Sequence, residues 1–285
     1  MSGTLYVVAT PIGNLQDITP RAAATFGSVD FIAAEDTRVT LKLLNYLGIK
    51  KPLISYFEHN AAERGALVLQ RIMAGENCAV CSDAGMPCIS DPGEALVREA
   101  HALGIPVVPV PAASAAATAL AVSGQSTGRW CFEGFLPVNR NQRREHLDAV
   151  KNEVRTMIFY EAPHKLNNTL ADLCTVFGEQ RSVTICRELT KLHEEIRKTT
   201  LGEAKSYYAE NSPRGEFCLV VAGGEPVSGD APQMTLEGAL AKAQQLMKGG
   251  LSPSAACKQA AREAGFAKGD VYDAYLAARV SEEQE

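Results

Sequence analysis

Polar and apolar positions along the first 120 residues switch between two periods. Short apolar runs at residues 5–9, 31–34, 53–57, 78–82 and 106–110 read as strands buried on both faces. The stretches between them carry apolar residues at helical spacing, as in the segment of Leu41, Leu44 and Leu47 that Gly48 closes. Thr19-Pro20 opens a helix by the N-cap and N1 rule, and Asn60-Ala61-Ala62-Glu63 has the form of a capping box for the helix that follows it. Five strands alternating with helices predict a parallel sheet covered on both faces.

Beyond the linker-like Ser123-Gly124-Gln125-Ser126-Thr127-Gly128 the rhythm changes. Strands are predicted at 132–136, 156–160, 182–186, around Ile196 and at 217–222, with helices at 139–152, 163–177 and 204–210. Strands in succession imply a mixed sheet. Residues 225–234 have linker composition, and 236–247, 253–264 and 268–279 read as three short helices of helix-turn-helix type. The expected fold class is therefore α/β. An N-terminal domain at 1–123 and a second at 124–224 are followed by a linker at 225–234 and a helical unit at 235–285.

The strand-end loops at 10–14, 35–38, 83–90 and 111–114 should converge on one rim, where open parallel sheets bind ligands. The most informative is Ser82-Asp83-Ala84-Gly85-Met86-Pro87-Cys88-Ile89-Ser90-Asp91-Pro92-Gly93. Its end, Asp91-Pro92-Gly93-Glu94, satisfies a helix start with Asp at N-cap, Pro at N1 and Glu at N3, which leaves 83–90 for a ligand.

Composition narrows the chemistry. A hydrophobic share of 46% with 21% charged residues is that of a soluble globular protein, and no apolar run approaches the roughly 20 residues of a membrane span. The first residues lack a basic, then apolar, signal pattern, so a cytoplasmic location is expected. A net charge of -5 argues against indiscriminate nucleic-acid binding yet leaves room for basic patches: Arg129, Arg140, Arg143, Arg144, Lys151 and Arg155 in one segment, Lys242, Lys248, Lys258, Arg262 and Lys268 in the helical unit. The eight cysteines sit mostly inside apolar runs, as buried thiols do. Cys78 and Cys81 have metal-ligand spacing, but no second pair accompanies them and a strand would point them to opposite faces, so no metal is expected. The commonest dinucleotide, P-loop, serine hydrolase and zinc protease signatures are absent. Proline-stiffened loops with exposed amides suit a polar small molecule.

Taken together, Ala9-Thr10-Pro11-Ile12-Gly13-Asn14-Leu15-Gln16-Asp17-Ile18-Thr19, Ala34-Glu35-Asp36-Thr37-Arg38, His59-Asn60 and the loop at 82–93 resemble the tetrapyrrole methylase superfamily, and within it the branch that methylates small-subunit ribosomal RNA. The likeness continues through Phe159-Tyr160-Glu161-Ala162-Pro163-His164, Arg187-Glu188-Leu189-Thr190-Lys191 and the final helices. The resemblance implies two α/β domains of class III methyltransferase type, in a homodimer, with S-adenosyl-L-methionine between them and no metal. It implies methyl transfer to a cytidine 2'-hydroxyl in the decoding region of 16S rRNA, within the small ribosomal subunit.

Carried over position by position, Pro11, Gly13, Asn14, Asp83, Ala84, Gly85, Ile89, Ser90, Ala113, Ser114, Tyr160, Leu189 and Phe217 would hold the cofactor. Glu35, Asp36, Glu58, His59 and Lys191 are the polar candidates near the hydroxyl, since a proton must leave it. Arg38, Arg140, Arg143, Arg144, Lys258 and Arg262 are the candidates for RNA contact. The family usually has Pro-Gly-Pro-Ser-Ala where this chain has Pro111-Ala112-Ala113-Ser114-Ala115. If that Gly needs a positive φ, Ala112 costs about 1 kcal/mol. A tetrapyrrole methyltransferase and a non-catalytic nucleic-acid-binding module are the alternative readings.

Overall fold

The computed structural model describes residues 2–224 and 234–282. The chain divides into two compact units, Met1–Gly224 and Glu225–Glu285. The first unit contains two sheets.

Strands β1 (Leu5–Val8), β2 (Phe31–Ala34), β3 (Leu53–Ser55), β4 (Cys78–Cys81) and β5 (Val107–Val110) form a parallel sheet of order β3-β2-β4-β1-β5. Helices α1 (Pro20–Ser28), α2 (Thr37–Tyr46), α3 (Ala61–Met73), α4 (Glu94–Ala102) and α5 (Ala115–Val122) make or follow the crossovers. Alternation along the strands sorts side chains into two cores. Leu5, Phe31, Cys78 and Val80 pack with Val68, Ile72 and Leu96 on one face, and Ile32, Ala34, Ala79 and Cys81 pack with Phe26, Leu43 and Leu44 on the other. Cys78 and Cys81 thus lie on opposite faces, each as a free thiol.

Local signals hold at α1, where Thr19 Oγ1 accepts from the Ala22 amide at 3.0 Å and Pro20 sits at N1. Three expectations need correction. Asn60 stands at the N-cap of α3 but forms no capping box there: its side chain accepts from the Phe57 amide at 2.8 Å and donates to the Ser55 carbonyl at 3.1 Å, serving the 3-10 turn Glu58–Asn60 instead. Leu41 is half exposed, the inner face of α2 being Thr40, Leu43 and Leu44. Asp91 does not cap α4, whose N-cap is Gly93 with φ 135° and no side-chain hydrogen bond.

The second sheet is built from β6 (Trp130–Phe135), β7 (Thr156–Glu161), β8 (Ser182–Arg187), β9 (Glu195–Thr200) and β10 (Phe217–Val221), in the order β6-β7-β10-β8-β9. Only the β6–β7 pair is parallel. Helices α6 (Arg140–Val150), α7 (Leu166–Phe177) and α8 (Leu201–Glu210) accompany it. Its main core gathers Met157, Phe159, Leu170, Leu173, Ile185 and Leu219. A reciprocal Thr200–Glu203 capping box starts α8. A bulge between Phe132 and Gly134 bends β6.

The second unit comprises α9 (Leu236–Lys248), α10 (Pro253–Ala264) and α11 (Lys268–Glu282) around Ala239, Ala243, Cys257, Ala260, Ala261 and Val271. Small residues let these helices approach closely, and Gly265 (φ 78°) ends α10 in the left-handed conformation. The linker expected at 225–234 lies, Met234 apart, outside the described residues. Among the described residues, no helix is long and apolar enough to cross a membrane.

Candidate active site

The loops after β1 and β4 leave neighbouring strands and join at once. Thr10 and Gly85 exchange backbone hydrogen bonds of 2.9 and 3.1 Å in an isolated antiparallel bridge, and Thr10 Oγ1 donates to the Ser82 carbonyl at 3.2 Å. Gly85 holds φ 83°, and a Cβ there would lie 3.3 Å from Ile12 Cγ2, so the absent side chain lets the two loops close. The loop after β2 is tied to the same piece. The Asp83 carboxylate accepts from the Asp36 amide at 3.0 Å while the Asp83 amide donates to Glu35 Oε2 at 3.2 Å.

Facing this floor is a wall from the second sheet, and between them lies a cleft of about 550 Å³. Ile12, Glu35, residues 83–86 and 89–91, Ser114 and Ala115 line one side. Phe135, residues 160–164, Cys186, Leu189, Lys191 and residues 216–218 line the other. The walls touch directly. Tyr160 Oη accepts from the Ala116 amide of α5 at 3.0 Å, and Gly134, at φ 64°, brings β6 so near that a Cβ would lie 3.2 Å from Ser90 Oγ.

The cleft is apolar with an acidic floor. Burial is the main cause raising the carboxyl pKa of Glu35, Asp83 and Asp91, with mutual repulsion adding to it, and Asp91 reaches about 6. Burial likewise pushes Tyr160 up to about 12 and Cys186 up to about 12, so both stay protonated at neutral pH. Lys191 behaves oppositely. Burial works against its charge, but Glu188 and Glu216, each 2.9 Å from Nζ, prevail and raise its pKa. It is a fixed cation and not a proton acceptor.

Of the residues expected to hold a small molecule, Asp83, Ala84, Gly85, Ile89, Ser90, Ser114, Tyr160, Leu189 and Phe217 do line the cleft. Pro11 and Gly13 instead line a separate hollow of about 260 Å³ with Leu15, Val39 and Lys42. Asn14 accepts from the Gln16 amide at 3.0 Å to cap a 3-10 turn. Ala113 packs beneath the floor beside Ala116 and Leu120. Positive φ among described non-glycine residues occurs at Cys88, Ser90, Glu188 and Thr190, so Ala112 carries no left-handed strain and the anticipated cost does not arise.

Among the polar candidates, Glu35 and Lys191 reach the cleft, whereas Asp36, Glu58 and His59 do not. Asp36 starts α2 by accepting from the Arg38 amide at 2.8 Å, and the Arg38 guanidinium beside it holds its pKa down to about 2. His59 lies in the 3-10 turn before α3, its ring edge-on to Phe57.

The basic candidates also divide. Arg140, Arg144, Lys258 and Arg262 are exposed, and Arg38 is exposed though paired to Asp36. Arg143 is structural: its Nε donates to Asp172 at 2.6 Å and its Nη2 to Thr169 at 2.8 Å, with 14% of the side chain exposed. Sequence reasoning missed Ile12, Asp91, Phe135, His164 and Glu216. Ile12 and His164 stood inside motifs already singled out, while Asp91 was assigned to a cap it does not make.

Residues 4–205 match the family model of tetrapyrrole (corrin/porphyrin) methylases. The chain is 47% identical over 274 residues to the ribosomal RNA small subunit methyltransferase I of Synechocystis sp., covering 96% of this chain and 98% of that one. To the protein of the same name from Halalkalibacterium halodurans it is 46% identical, over 96% and 94% of the two chains. Among solved structures, the methyltransferase CobJ superposes with a TM-score of 0.60 at 18% identity, over 78% of this chain and all 100% of that one. Diphthine synthase gives 0.59 at 12% identity, over 77% and 90%. These two likenesses concern the fold.

Proposed function

Because the chain belongs to the tetrapyrrole methylase family, among the ribosomal RNA small subunit methyltransferase I proteins, we propose that it methylates 16S rRNA using S-adenosyl-L-methionine. The acceptor in this reading is the ribose 2'-hydroxyl of a cytidine in the decoding region, and the protein works in the cytoplasm as a homodimer. One observation of the site carries the assignment: the cleft is apolar in its walls and acidic in its floor, the chemistry of a pocket for a molecule with a flat apolar ring and cationic groups.

The cofactor fits these residues. A pocket in which burial pushes the Glu35, Asp83 and Asp91 carboxyls toward protonation gains when a cation enters, because the incoming charge offsets both desolvation and repulsion. Asp83, Ala84, Gly85, Ile89, Ser90 and Ser114 would hold it from the floor, and Tyr160, Leu189 and Phe217 from the opposite side. Bound there, it supplies a methyl group already activated on a sulfonium. The protein then has to align a hydroxyl, exclude water and accept a proton. Ile12, Leu189 and Phe217 exclude water, and Tyr160, fixed by the Ala116 amide, sets the spacing of the two walls. Arg140, Arg144, Lys258 and Arg262 supply exposed positive charge for the phosphate backbone.

Incubation with methyl-labelled cofactor and either small ribosomal subunits or naked 16S rRNA tests the reading. Label recovered as 2'-O-methylcytidine supports it, and label absent from both RNAs overturns it. Light scattering on the purified protein tests the dimer.

A further inference from the structure

Sequence reasoning spent Asp91 on a helix cap, and the structure releases it. Helix α4 begins at Glu94 behind Gly93, with no side chain at its N-cap. The loop before it is folded back on itself. Cys88 (φ 70°) and Ser90 (φ 63°) are both left-handed, and a Cβ on Gly93 would lie 2.6 Å from Cys88 Sγ. A chain that forgoes a cap and holds two non-glycine residues in a sparsely populated conformation is spending stability on the placement of something. What it places is the Asp91 carboxyl, half-buried in the cleft lining.

The other carboxylates and the lysine of the cleft are committed. Glu35 and Asp83 are bound to backbone amides of each other's loops. Glu161 accepts from the Ala162 amide at 2.8 Å and from the Thr169 hydroxyl. Lys191 is a paired cation between Glu188 and Glu216. His164 is exposed at the rim. Among the described residues no backbone amide donates to Asp91, whose polar neighbour is the Ser82 hydroxyl.

We propose that Asp91 is the proton acceptor for the substrate hydroxyl, a role that rests on the methyltransferase reading above. The hydroxyl proton passes to an Asp91 oxygen as the electron pair of the O–H bond remains on oxygen. An oxygen electron pair then forms the bond to the methyl carbon, and the pair of the breaking carbon–sulfur bond stays with sulfur. A carboxylate and a sulfonium become a carboxylic acid and a thioether, so charge and atoms balance. The groups that set the basicity of Asp91 come from several elements. Burial raises its pKa to about 6, Glu35 and Asp83 add repulsion, the Ser82 hydroxyl opposes them, and Cys88 and Tyr160 feel its charge in turn. Such a carboxylate is ionised at neutral pH and a stronger base than an exposed one.

The experiment measures single-turnover methylation of 16S rRNA between about pH 5 and pH 9, with cofactor affinity by calorimetry on the same preparations. For Asp91→Asn at saturating cofactor we expect a loss of roughly 100-fold to 10,000-fold in the rate constant, far larger than the weakening of the cofactor Kd that follows from removing one carboxylate from the floor. Asp91→Glu should restore part of the rate. The wild-type rate should fall on the acid side near pH 6, and Glu35→Gln, which removes a repelling charge, should move that limb to lower pH. The wild-type profile and Glu35→Gln keep the assignment testable should Asp91→Asn fold poorly. Full turnover by Asp91→Asn would overturn the proposal. So would a loss of rate explained by a matching loss of cofactor affinity, or an acid limb abolished in His164→Gln and kept in Asp91→Asn. Wild-type protein that binds cofactor and methylates neither form of the RNA would instead overturn the underlying reading, and the proposal with it.

Discussion

Gly13 and Lys191 meet between the two sheets: a Cβ on Gly13 would lie 2.4 Å from Lys191 Cγ and 2.9 Å from Cε. The lysine stem runs along a bare backbone, and its ammonium is held by Glu188 and Glu216 at 2.9 Å each. It cannot swing aside without leaving both carboxylates. Gly13→Ala should therefore destabilise the protein by about 1–3 kcal/mol through overpacking. Denaturant unfolding with an unchanged midpoint would show that the stem yields freely.

The pH dependence of stability follows from Asp91. Its folded pKa of about 6 lies above the ordinary value of 3.8, so the native state binds this proton more tightly than the unfolded chain. That contribution is full below about pH 4 and is lost as pH rises through about 6. At pH 8 the ionised, half-buried group costs the fold on the order of 2 kcal/mol. Asp91→Asn should melt several degrees above wild type at about pH 8, with the gain shrinking toward zero at about pH 4. Melting curves of the two proteins across that range check both size and direction.

Tyr160→Phe removes the acceptor for the Ala116 amide, at the first turn of α5, in a contact that joins the two sheets. Leaving that N–H without its partner should cost about 1–2 kcal/mol and weaken cofactor binding measured by calorimetry. Equal stability and affinity in the variant would mean that water replaces the phenol at no cost.

The arginines of α6 should separate by role. Arg143→Ala breaks the Asp172 ion pair and the Thr169 hydrogen bond, and should lower stability by about 1–3 kcal/mol in thermal melts. Arg140→Glu with Arg144→Glu should leave the melt unchanged and weaken RNA binding, with a shallower dependence on salt. Filter binding at several salt concentrations distinguishes the two, and a double variant that binds RNA as wild type does would remove α6 from the interface.

The repeated period of buried strands and amphipathic helices made the parallel sheet legible, because burial on two faces writes continuous apolar runs such as those ending at Ala34 and Cys81. The cleft-lining loop was legible for the opposite reason, as a rigid strand end that no core requirement explains. Local hydrogen-bond choices were not. Asn60 and Asp91 both match the residue type for a helix cap, but whether a short side chain turns to the following helix depends on backbone dihedrals set from afar. Asn60 turned back to Ser55 and Phe57, and Asp91 was carried away by the left-handed Cys88 and Ser90. Arg143 looked like its neighbours Arg140 and Arg144 in sequence, and only the position of α7 shows that it faces Asp172. Pro11 and Gly13 lie next to Ile12, but only Ile12 lines the cleft.

The rung between Thr10 and Gly85 has a consequence for any attempt to redirect the enzyme. It fuses the loops after β1 and β4, so lengthening one would shear the other, and the floor can be edited only as a whole. The opposite wall, with Phe135, His164 and Leu189 on separate segments, accepts changes piecemeal. Exchanging that wall segment by segment, with the floor kept whole, is therefore the way to find which of its residues face the acceptor.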